Sequence, residues 1–481
     1  MKKIVIILIL ALVSFSCKDA LEEQPKSIAA ETFYNTASEM ESAVAAIYSP
    51  LRNGNLFGMN YISLLECFTD YQYGRGSWAI NSTFQGLNTT NIGRSDGAWA
   101  SAYTAIRNAN IVIKNAPNGT QLTENNKTFY AAESKFLRAF SYFILVRNWG
   151  GVPIRKEDNM SELSIARSSE DDVYQLIVSD LKEAETNLPD VASAAGRATK
   201  WAAKTLLADV YFYRGDYTNA ASKSAEVISS NKYSLVSVST VDDYSKIFGV
   251  GVASTSEEIF YMKFSHDNGQ SYTMMLHHPG SKLCGGGGWY GIYTDSEKNT
   301  IVKNWDQKDL RRGLWYNWNI GLGTTTLLTL KFVDPAAPNS GSNANDVPVY
   351  RYGDVLLMSA EAEVRSTGAV TAGAMEKLNM VHRRAYGYNP LVTSAVDFKL
   401  SDYSDKDAFV NLVMKERCYE TVGEGKRWFD LKRLGSAKLK EIIKANLGID
   451  VADKHLLWPI PTSETNYNSA ISPTKDQNPG Y

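Results

Sequence analysis

The stretch of sequence that decides the fold is TKWAAKTLLADVYFYRGDYTNAASKSAEVISS, residues 199–230. Apolar residues from Ala203 to Val210 recur at spacings of three and four, which places them on one face of a helix. Gly215 is suited to end this helix, and Asp216 is suited to cap the next one. Small alanines in both halves allow a close approach. The stretch therefore predicts two helices packed against each other across a tight turn.

The same design recurs further along the chain. Residues 352–386 carry apolar side chains at helical spacing on both sides of Gly368, which predicts a second helix pair. Both pairs resemble tetratricopeptide repeats, in which a unit of about 34 residues forms two helices. Apolar stripes predict further helices over 128–147 and 170–188. The predicted fold class is mainly α, a tetratricopeptide-like helix-pair scaffold with an inserted region of loops and short strands.

The predicted insert differs from the helical parts in composition. It contains four consecutive glycines at 285–288 and four of the ten tryptophans of the chain, and alternation over 258–264 predicts a short strand. A second polar, glycine-rich stretch covers 69–97. Functional side chains tend to lie on loops held by a rigid scaffold, so these two stretches are where we expect them. The predicted organisation is one domain, 17–481, with helical scaffold over about 30–230 and 350–481 and the insert over about 231–350.

The N-terminus predicts export and anchoring. Two lysines precede ten apolar residues, 4–13, a length that suits a signal peptide and is too short to span a bilayer. Ser16 directly precedes Cys17, as at the cleavage site of bacterial lipoproteins, although Ser14 stands where leucine is usual. We predict a signal peptide over 1–16 and lipidation of Cys17. An ordinary secretory signal followed by a free cysteine is the alternative.

Composition argues against several classes of protein. The chain has 481 residues, of which 44% are hydrophobic and 21% charged, as in ordinary globular proteins. The net charge of −2 disfavours a nucleic-acid partner. Four widely spaced cysteines without CxxC and five histidines without HExxH indicate no metal site, and we predict no cofactor. Tyrosine and tryptophan outnumber phenylalanine, 27 and 10 against 17, and their amphipathic rings suit surfaces that bind hydrated ligands.

Two motifs match known signatures without the context that these require. Residues 93–97 match GxSxG, but no buried strand precedes them, and we interpret Ser95 as the N-cap of a helix that begins just after it. Residues 286–291 match GxGxxG, but no strand precedes them and no amphipathic helix follows, which argues against a dinucleotide site. Two interpretations of this loop stay open: a flexible connection, or a loop whose glycines orient Trp289 and Tyr290 toward a ligand.

Carboxylates are frequent near the C-terminus. Two convergent carboxylates would be needed by a glycoside hydrolase. However, Glu416, Glu420 and Asp430 each have an arginine close in sequence, which favours an ion-pair network that ties the last helices to the core. We therefore predict no catalytic residues and no enzymatic activity.

Several short motifs follow one another in a characteristic order. They are LEEQP at 21–25, FYNT at 33–36, FLRAFSY at 136–142, WGGVP at 149–153, RAT at 197–199, GDY at 215–217, RYGDVLLM at 351–358, RWFDL at 427–431 and WPIP at 458–461. In this order and over nearly the whole chain, they resemble the SusD/RagB family of outer-membrane nutrient-binding lipoproteins.

The resemblance implies a fold and a function. It implies a helical tetratricopeptide-like scaffold without catalytic activity, held at the outer membrane by its lipid anchor and exposed at the cell surface. It also implies a partner, a SusC-like TonB-dependent transporter, to which the protein delivers an oligosaccharide or, in some members, a peptide. Ligand contacts vary within the family, so the resemblance places the site only broadly, in the loops of 69–97 and in the insert over 265–320.

Sugar chemistry selects candidates within these regions. Aromatic rings stack on the C–H faces of sugars, while Arg, Asn and Asp bind the hydroxyl rim. The predicted ligand-binding residues are Tyr73, Arg75, Trp78, Asn81, Trp289, Tyr290, Tyr293 and Trp318. For each ring the alternative is a core position between scaffold and insert. The tryptophans within scaffold motifs are predicted to be core: Trp99, Trp149, Trp201, Trp428 and Trp458.

A second function stays open at this point. A tetratricopeptide-like adaptor at the cell surface would bind peptides or proteins in a concave helical groove. An exposed set of aromatic rings in the insert favours glycan binding, and a helical groove without such rings favours the adaptor.

Overall fold

The computed structural model describes residues 33–85, 87 and 92–481. The predicted signal peptide, 1–16, and the predicted lipidation site, Cys17, lie outside these residues. Within the described ranges, no helix combines the length and the apolar character needed to cross a bilayer.

Helices dominate the structure, and the strands are short. The helices are α1 Ala37–Arg52, α2 Asn60–Cys67, α3 Ala79–Ser82, α4 Ile92–Asn115, α5 Glu124–Trp149, α6 Glu170–Asn187, α7 Lys200–Tyr213, α8 Tyr217–Ser229, α9 Ser245–Phe248, α10 Tyr272–Leu276, α11 Thr300–Lys303, α12 Tyr352–Thr367, α13 Ala372–Ala385, α14 Lys406–Glu420, α15 Arg427–Lys432, α16 Ser436–Leu447 and α17 Thr462–Tyr467. The strands are β1 Tyr73–Gly74, β2 Glu258–Met262, β3 Ile292–Asp295, β4 Trp315–Asn317, β5 Thr326–Thr329 and β6 Val347–Arg351.

The first predicted helix pair is present as α7 and α8. The Thr199 hydroxyl accepts a hydrogen bond from the N–H of Ala202 and caps α7. The Asp216 carboxylate accepts one from the N–H of Asn219 and caps α8. Between them Gly215 has φ of +77°, a left-handed conformation that glycine adopts without steric cost. The capping chemistry read from the sequence therefore sets the turn of this pair.

The second predicted pair is present as α12 and α13, and the two pairs are neighbours in space. Helix α8 packs against α12, although the whole insert separates them along the chain. Helices α4 to α8 also pack consecutively, each on the next. The mainly α, tetratricopeptide-like fold class is confirmed. Between Ser229 and Tyr352 the chain forms short helices and strands, and the exact domain boundaries stay a prediction.

Four tryptophans of the scaffold motifs lie in the main hydrophobic core. Trp99, Trp149, Trp428 and Trp458 are buried, as predicted, and the rings of Trp149 and Trp458 have centroids 4.9 Å apart. Trp201 departs from the prediction. It is half-buried, and its indole N–H donates to the Asp190 carboxylate at 3.0 Å, so one edge of the ring reaches the surface.

Four of the strands form one antiparallel sheet in the order β1-β3-β5-β4. Strand β1 belongs to the 69–97 region, whereas β3, β4 and β5 belong to the insert. The two regions singled out by composition are therefore joined by backbone hydrogen bonds. The strand predicted near 258–264 is present as β2 and pairs with β6 in a second sheet.

Candidate ligand-binding site

Strands β1 and β3 place two predicted tyrosines side by side. Tyr73 and Tyr293 are opposite each other in the antiparallel register, and their rings stack with centroids 5.4 Å apart. Both side chains are half-buried. Burial raises the pKa of each hydroxyl, and the charge of Asp295 raises the pKa of Tyr293 further. Both phenols therefore remain hydrogen-bond donors at neutral pH.

Next to this pair, a row of rings continues across the insert. The guanidinium carbon of Arg75 lies 4.0 Å from the ring centroid of Tyr290. The Tyr290 ring lies 4.6 Å from that of His278, and His278 lies 5.2 Å from Trp318. We call Tyr290, His278 and Trp318, with Arg75 at one end, the aromatic row. Its four members come from three separate segments of the chain and are all at least partly accessible at the surface.

The glycine run fixes the backbone beneath this row. A Cβ on Gly288 would lie 1.9 Å from the carbonyl oxygen of His277, so no larger residue fits there. A Cβ on Gly285 would lie 2.1 Å from the carbonyl oxygen of Ala337, and one on Gly286 would lie 2.3 Å from the backbone nitrogen of Ser340. The close packing argues against the interpretation of this loop as a flexible connection. It supports the other interpretation, in which the glycines orient the residues that follow them.

Two aromatic residues follow the glycines, and they are held differently. Trp289 is 56% exposed, so its ring is open to solvent. Tyr290 has φ of +40°, a left-handed conformation that is unusual for a residue with a Cβ. Its N–H donates to the carbonyl of His277 at 3.0 Å, which helps to hold this conformation. Strained backbone of this kind is often found at functional sites.

Burial removes two of the predicted residues from direct ligand contact. Trp78 is 5% exposed and Asn81 is 1% exposed. Trp78 packs beneath Gly291, and the guanidinium of Arg94 covers its ring at 3.8 Å. Neither side chain presents a surface that a ligand could touch in this structure, so we correct the predicted contact role of both; Trp78 instead supports the loop at Gly291 from below. The sequence could not distinguish these two buried residues from exposed ligand-binding residues, because the same residue types occur in both kinds of position.

Other residues of the site were missed at the sequence level. His278 joins Tyr290 to Trp318, and Tyr316 lies 6.2 Å from Trp318 in an edge-to-face arrangement. One signal was available for Tyr316: it is two residues before Trp318 on an alternating strand and so shares its face. Trp315, which directly precedes Tyr316 and so lies on the opposite face of the strand, is buried. No local pattern marks His278, whose role depends on neighbours from other segments.

Below the row, His277 is a buried support. Its Nε2–H donates to the carbonyl oxygen of Phe332 at 2.6 Å. Burial lowers the pKa of His277 to about 4, so the ring is neutral at pH 7. Its own carbonyl receives the Tyr290 N–H, and this residue therefore links the core to the candidate site.

The C-terminal carboxylates form a buried ion-pair network, as predicted. Glu420 contacts three guanidiniums, those of Arg311, Arg351 and Arg384. Burial alone would raise the pKa of Glu420, but these arginines outweigh it and hold the pKa well below its usual range. The arginines close in sequence account for only part of the network, because these three partners come from distant segments. A carboxylate surrounded by cations in this way is not placed to act as an acid or base on a ligand.

The remaining carboxylates of that region are similarly enclosed. Glu416 pairs with Arg311 and His382, and although burial favours its neutral form, these partners lower its pKa to about 2. Asp430 pairs with Arg417 and Arg433.

The two signature-like motifs also have ordinary structural roles. Helix α4 begins at Ile92, so Ser95 lies in its first turn and is not its N-cap, which corrects the sequence interpretation. The Ser95 hydroxyl is buried and donates to the carbonyl of Ile92 at 2.9 Å. Strand β3 follows the GxGxxG match directly, where a dinucleotide site would have a helix.

Within the residues that the structure describes, no group of three or more His, Cys, Asp or Glu side chains could hold a metal ion.

Fold and site together define a helix-repeat protein that presents aromatic side chains on a small inserted sheet. Two family models match the chain: one described as the SusD family over residues 286–481, and one described as "Starch-binding associating with outer membrane" over residues 19–212. The chain belongs to the SusD/RagB family.

Individual relatives match over almost the full length. SusD-like proteins P25 and P2 of Formosa agariphila are 26% and 28% identical to this chain, covering 100% and 99% of it and 99% and 98% of their own lengths. A SusD homolog from Bacteroides thetaiotaomicron has the same fold, with a TM-score of 0.82 at 24% identity over 94% of this chain and 98% of its own. A laminarin-binding SusD-like protein has a TM-score of 0.75 at 25% identity over 93% of this chain and 100% of its own.

Proposed function

We propose that this protein binds an oligosaccharide at the cell surface through the aromatic row and the neighbouring rings. The observation that carries the proposal is the convergence of accessible rings from separate segments: Tyr73 with Tyr293, the row of Tyr290, His278 and Trp318, and the open ring of Trp289. Such rings offer apolar surface for the C–H faces of a sugar. The laminarin-binding relative supports a glycan as the ligand class.

The polar groups of the site suit the rim of a sugar ring. Gly280 donates its N–H to Nδ1 of His278 at 3.0 Å, so the neutral imidazole carries its proton on Nε2 and can donate there. Arg75 contributes guanidinium N–H donors, and Tyr73 and Tyr293 contribute hydroxyls. Hydroxyl groups of a sugar accept from all of these.

The proposal includes no catalytic step. Retaining or inverting hydrolysis of a glycoside needs two carboxyl groups that face each other across an open cleft. Glu416, Glu420 and Asp430 are instead buried and paired with arginines. We propose that the ligand leaves unchanged and passes to a SusC-like TonB-dependent transporter in the outer membrane, with a lipid on Cys17 holding the protein there. The family and its outer-membrane description support this part of the proposal.

One experiment tests binding and turnover together. The purified protein is screened on a glycan array, and the strongest ligand is then titrated by calorimetry and recovered for chromatography. We expect a Kd in roughly the micromolar to millimolar range, which lets a delivery protein release its ligand, and an unchanged ligand afterwards. Binding of peptides with no binding of any glycan would instead support the adaptor function, and shortened ligand would show catalysis.

A further inference from the structure

Arg75 is held at the candidate site by an aromatic ring. Its backbone N–H donates to the carbonyl of Gly291 at 2.7 Å, which extends the pairing of β1 with β3. Its guanidinium lies over Tyr290 at 4.0 Å. Among the described residues, no carboxylate pairs with Arg75 and no oxygen accepts a hydrogen bond from its guanidinium. The cation is therefore oriented by stacking, and its N–H groups stay available.

Arg351, a buried arginine of the scaffold, differs from Arg75 in having carboxylate partners. Arg351 contacts the carboxylates of Glu257, Glu420 and Glu424, and its charge is fully compensated within the protein. Arg75 is half-buried and has no such compensation in the described part of the chain. A partly buried cation without a counter-ion favours a ligand that supplies one.

The segments around Arg75 are free of acidic residues. The site is built from residues 73–84, 275–294 and 315–329, and none of these stretches contains Asp or Glu, whereas they contain Arg75 and the exposed Lys282. The carboxylate that influences Tyr73 and Tyr293 is that of Asp295, directly after β3. It is 1% exposed and already accepts hydrogen bonds from the N–H groups of Glu297 and Lys298. Within these three stretches, the charged side chains are therefore Arg75 and Lys282, and both are cations.

We propose that the glycan bound at the aromatic row carries an anionic group, either a carboxylate or a sulfate ester, and that Arg75 binds this group. The inference rests on the proposed glycan-binding function and specifies the class of glycan. A planar guanidinium presents two parallel N–H groups that match two oxygens of a carboxylate or sulfate. Stacking on Tyr290 fixes the plane of the guanidinium before the ligand binds, which reduces the conformational entropy lost on binding. The Nε2–H of His278 is a second donor along the row.

Matched ligand pairs test this inference. The first pair is an oligogalacturonide and its carboxyl-reduced neutral counterpart; the second is a sulfated galactan oligosaccharide and its desulfated counterpart. Each is titrated by calorimetry into the purified protein at low and high NaCl. We expect the charged member of one pair to bind about tenfold more tightly than its neutral counterpart, with a preference that shrinks at high salt. The pair that shows the preference identifies carboxylate or sulfate as the group.

Variants connect the preference to Arg75. Arg75→Gln is expected to reduce the preference for the charged ligand to less than about twofold while the neutral counterpart still binds. Arg75→Lys keeps the positive charge but lacks the two parallel N–H groups, and it is expected to retain part of the preference. Arg107→Gln makes the same charge change on an exposed position of α4 and is expected to leave the preference intact. Wild-type protein that binds neutral glycans as tightly as charged ones would overturn this inference and leave glycan binding standing. Binding of no glycan at all would overturn the proposed function, and this inference with it.

Discussion

Tyr73 and Tyr293 are cross-strand partners on β1 and β3, with ring centroids 5.4 Å apart and planes inclined by 27°. They come from segments that are far apart in the chain, so the sheet that pairs them also holds the loop after α2 against the insert. The candidate site is built on this junction. Its rings are therefore positioned by backbone hydrogen bonds, and side-chain substitutions there can be separated from changes in fold.

We predict that accessible and buried tryptophans of the site respond differently to truncation. Trp289→Ala and Trp318→Ala should each weaken glycan binding by about 1 to 3 kcal/mol, if stacking on sugars resembles stacking on bases, with little change in melting temperature. Trp78→Ala should instead lower the free energy of unfolding by about 3 to 5 kcal/mol, because Trp78 is buried. Calorimetric titration and urea unfolding measure the two effects.

A matched control for these variants is Tyr467→Ala in α17. Tyr467 is 86% exposed and lies outside the segments that build the site. Its removal should change neither affinity nor stability. Full affinity in a Trp289→Ala, Trp318→Ala double variant would place the binding site elsewhere.

A single methyl group at Gly288 should disturb the site. The added Cβ of Gly288→Ala would lie 1.9 Å from the His277 carbonyl oxygen, a backbone atom that cannot move away cheaply. We expect a loss of about 1 to 3 kcal/mol in the free energy of unfolding together with weaker glycan binding. Gly54→Ala is the control, because its Cβ would meet nothing within 4 Å. Wild-type stability in Gly288→Ala would show that this loop yields easily, contrary to the close packing described above.

Acidification should destabilise the protein through His277. Burial lowers the pKa of His277 from 6.5 to about 4, so between these values the unfolded state binds a proton that the folded state does not. Its contribution to stability, roughly 3 kcal/mol, is present above about pH 6.5 and is lost as the pH falls toward 4. The variant His277→Gln should lack this dependence, which urea unfolding at several pH values would measure.

The pH dependence of the wild type has to be compared with that of His277→Gln because Glu66 also titrates in this pH range. Burial raises the pKa of this carboxyl group to about 7, so it favours the folded state as the pH falls from 7 toward its usual 4.5. The two residues act in opposite directions in the wild type. The difference between wild type and His277→Gln isolates the histidine, and equal pH profiles for both proteins would refute the assignment.

Breaking the buried ion-pair network should be costly. Glu420→Gln removes the carboxylate shared by Arg311, Arg351 and Arg384, and leaves their charges undercompensated in the interior. We expect a loss of about 3 to 5 kcal/mol in the free energy of unfolding. Glu297→Gln, which breaks an exposed pair with Lys303, should cost less than about 1 kcal/mol. Equal effects of the two substitutions in urea unfolding would contradict the structural role of the network.

Anchoring should depend on Cys17. Cys17→Ala is expected to release the protein from the outer membrane and abolish lipid labelling, because the ten-residue apolar segment is too short to hold it by spanning. Ser16→Ala keeps a small residue before the cysteine and should preserve anchoring. Cell fractionation and labelling with a fatty-acid analogue are the measurements. Continued lipid labelling of Cys17→Ala would rule out this cysteine as the anchor.

Local sequence rules were sufficient for the helices. Thr199 and Asp216 cap α7 and α8 through contacts three residues away, and the apolar stripes of α5 and α6 follow the helical period. These interactions lie within one or two turns, so the sequence contains all their partners. The helix pair at 352–386 followed from the same rules, and the family followed from the order of short motifs.

The candidate site could be predicted only by region. Composition marked 69–97 and the insert, and six of the eight predicted residues are at least partly accessible. It could not separate Trp289, which is open to solvent, from Trp78, which is buried under Arg94. It also did not identify His278, because the rings on either side of it come from different positions in the folded insert.

By itself, the sequence determined the helix pairs, their turns and the location of an aromatic-rich, non-helical region, because periodicity, capping and composition act over short distances along the chain. The tertiary structure alone decided that Glu420 is shared by three distant arginines, and that β1 joins the insert. It also decided that Arg75 lies on Tyr290 without a carboxylate partner among the described residues. These relationships depend on which distant segments of the chain contact each other in the folded protein, because those contacts determine which side chains are buried and which charges are compensated.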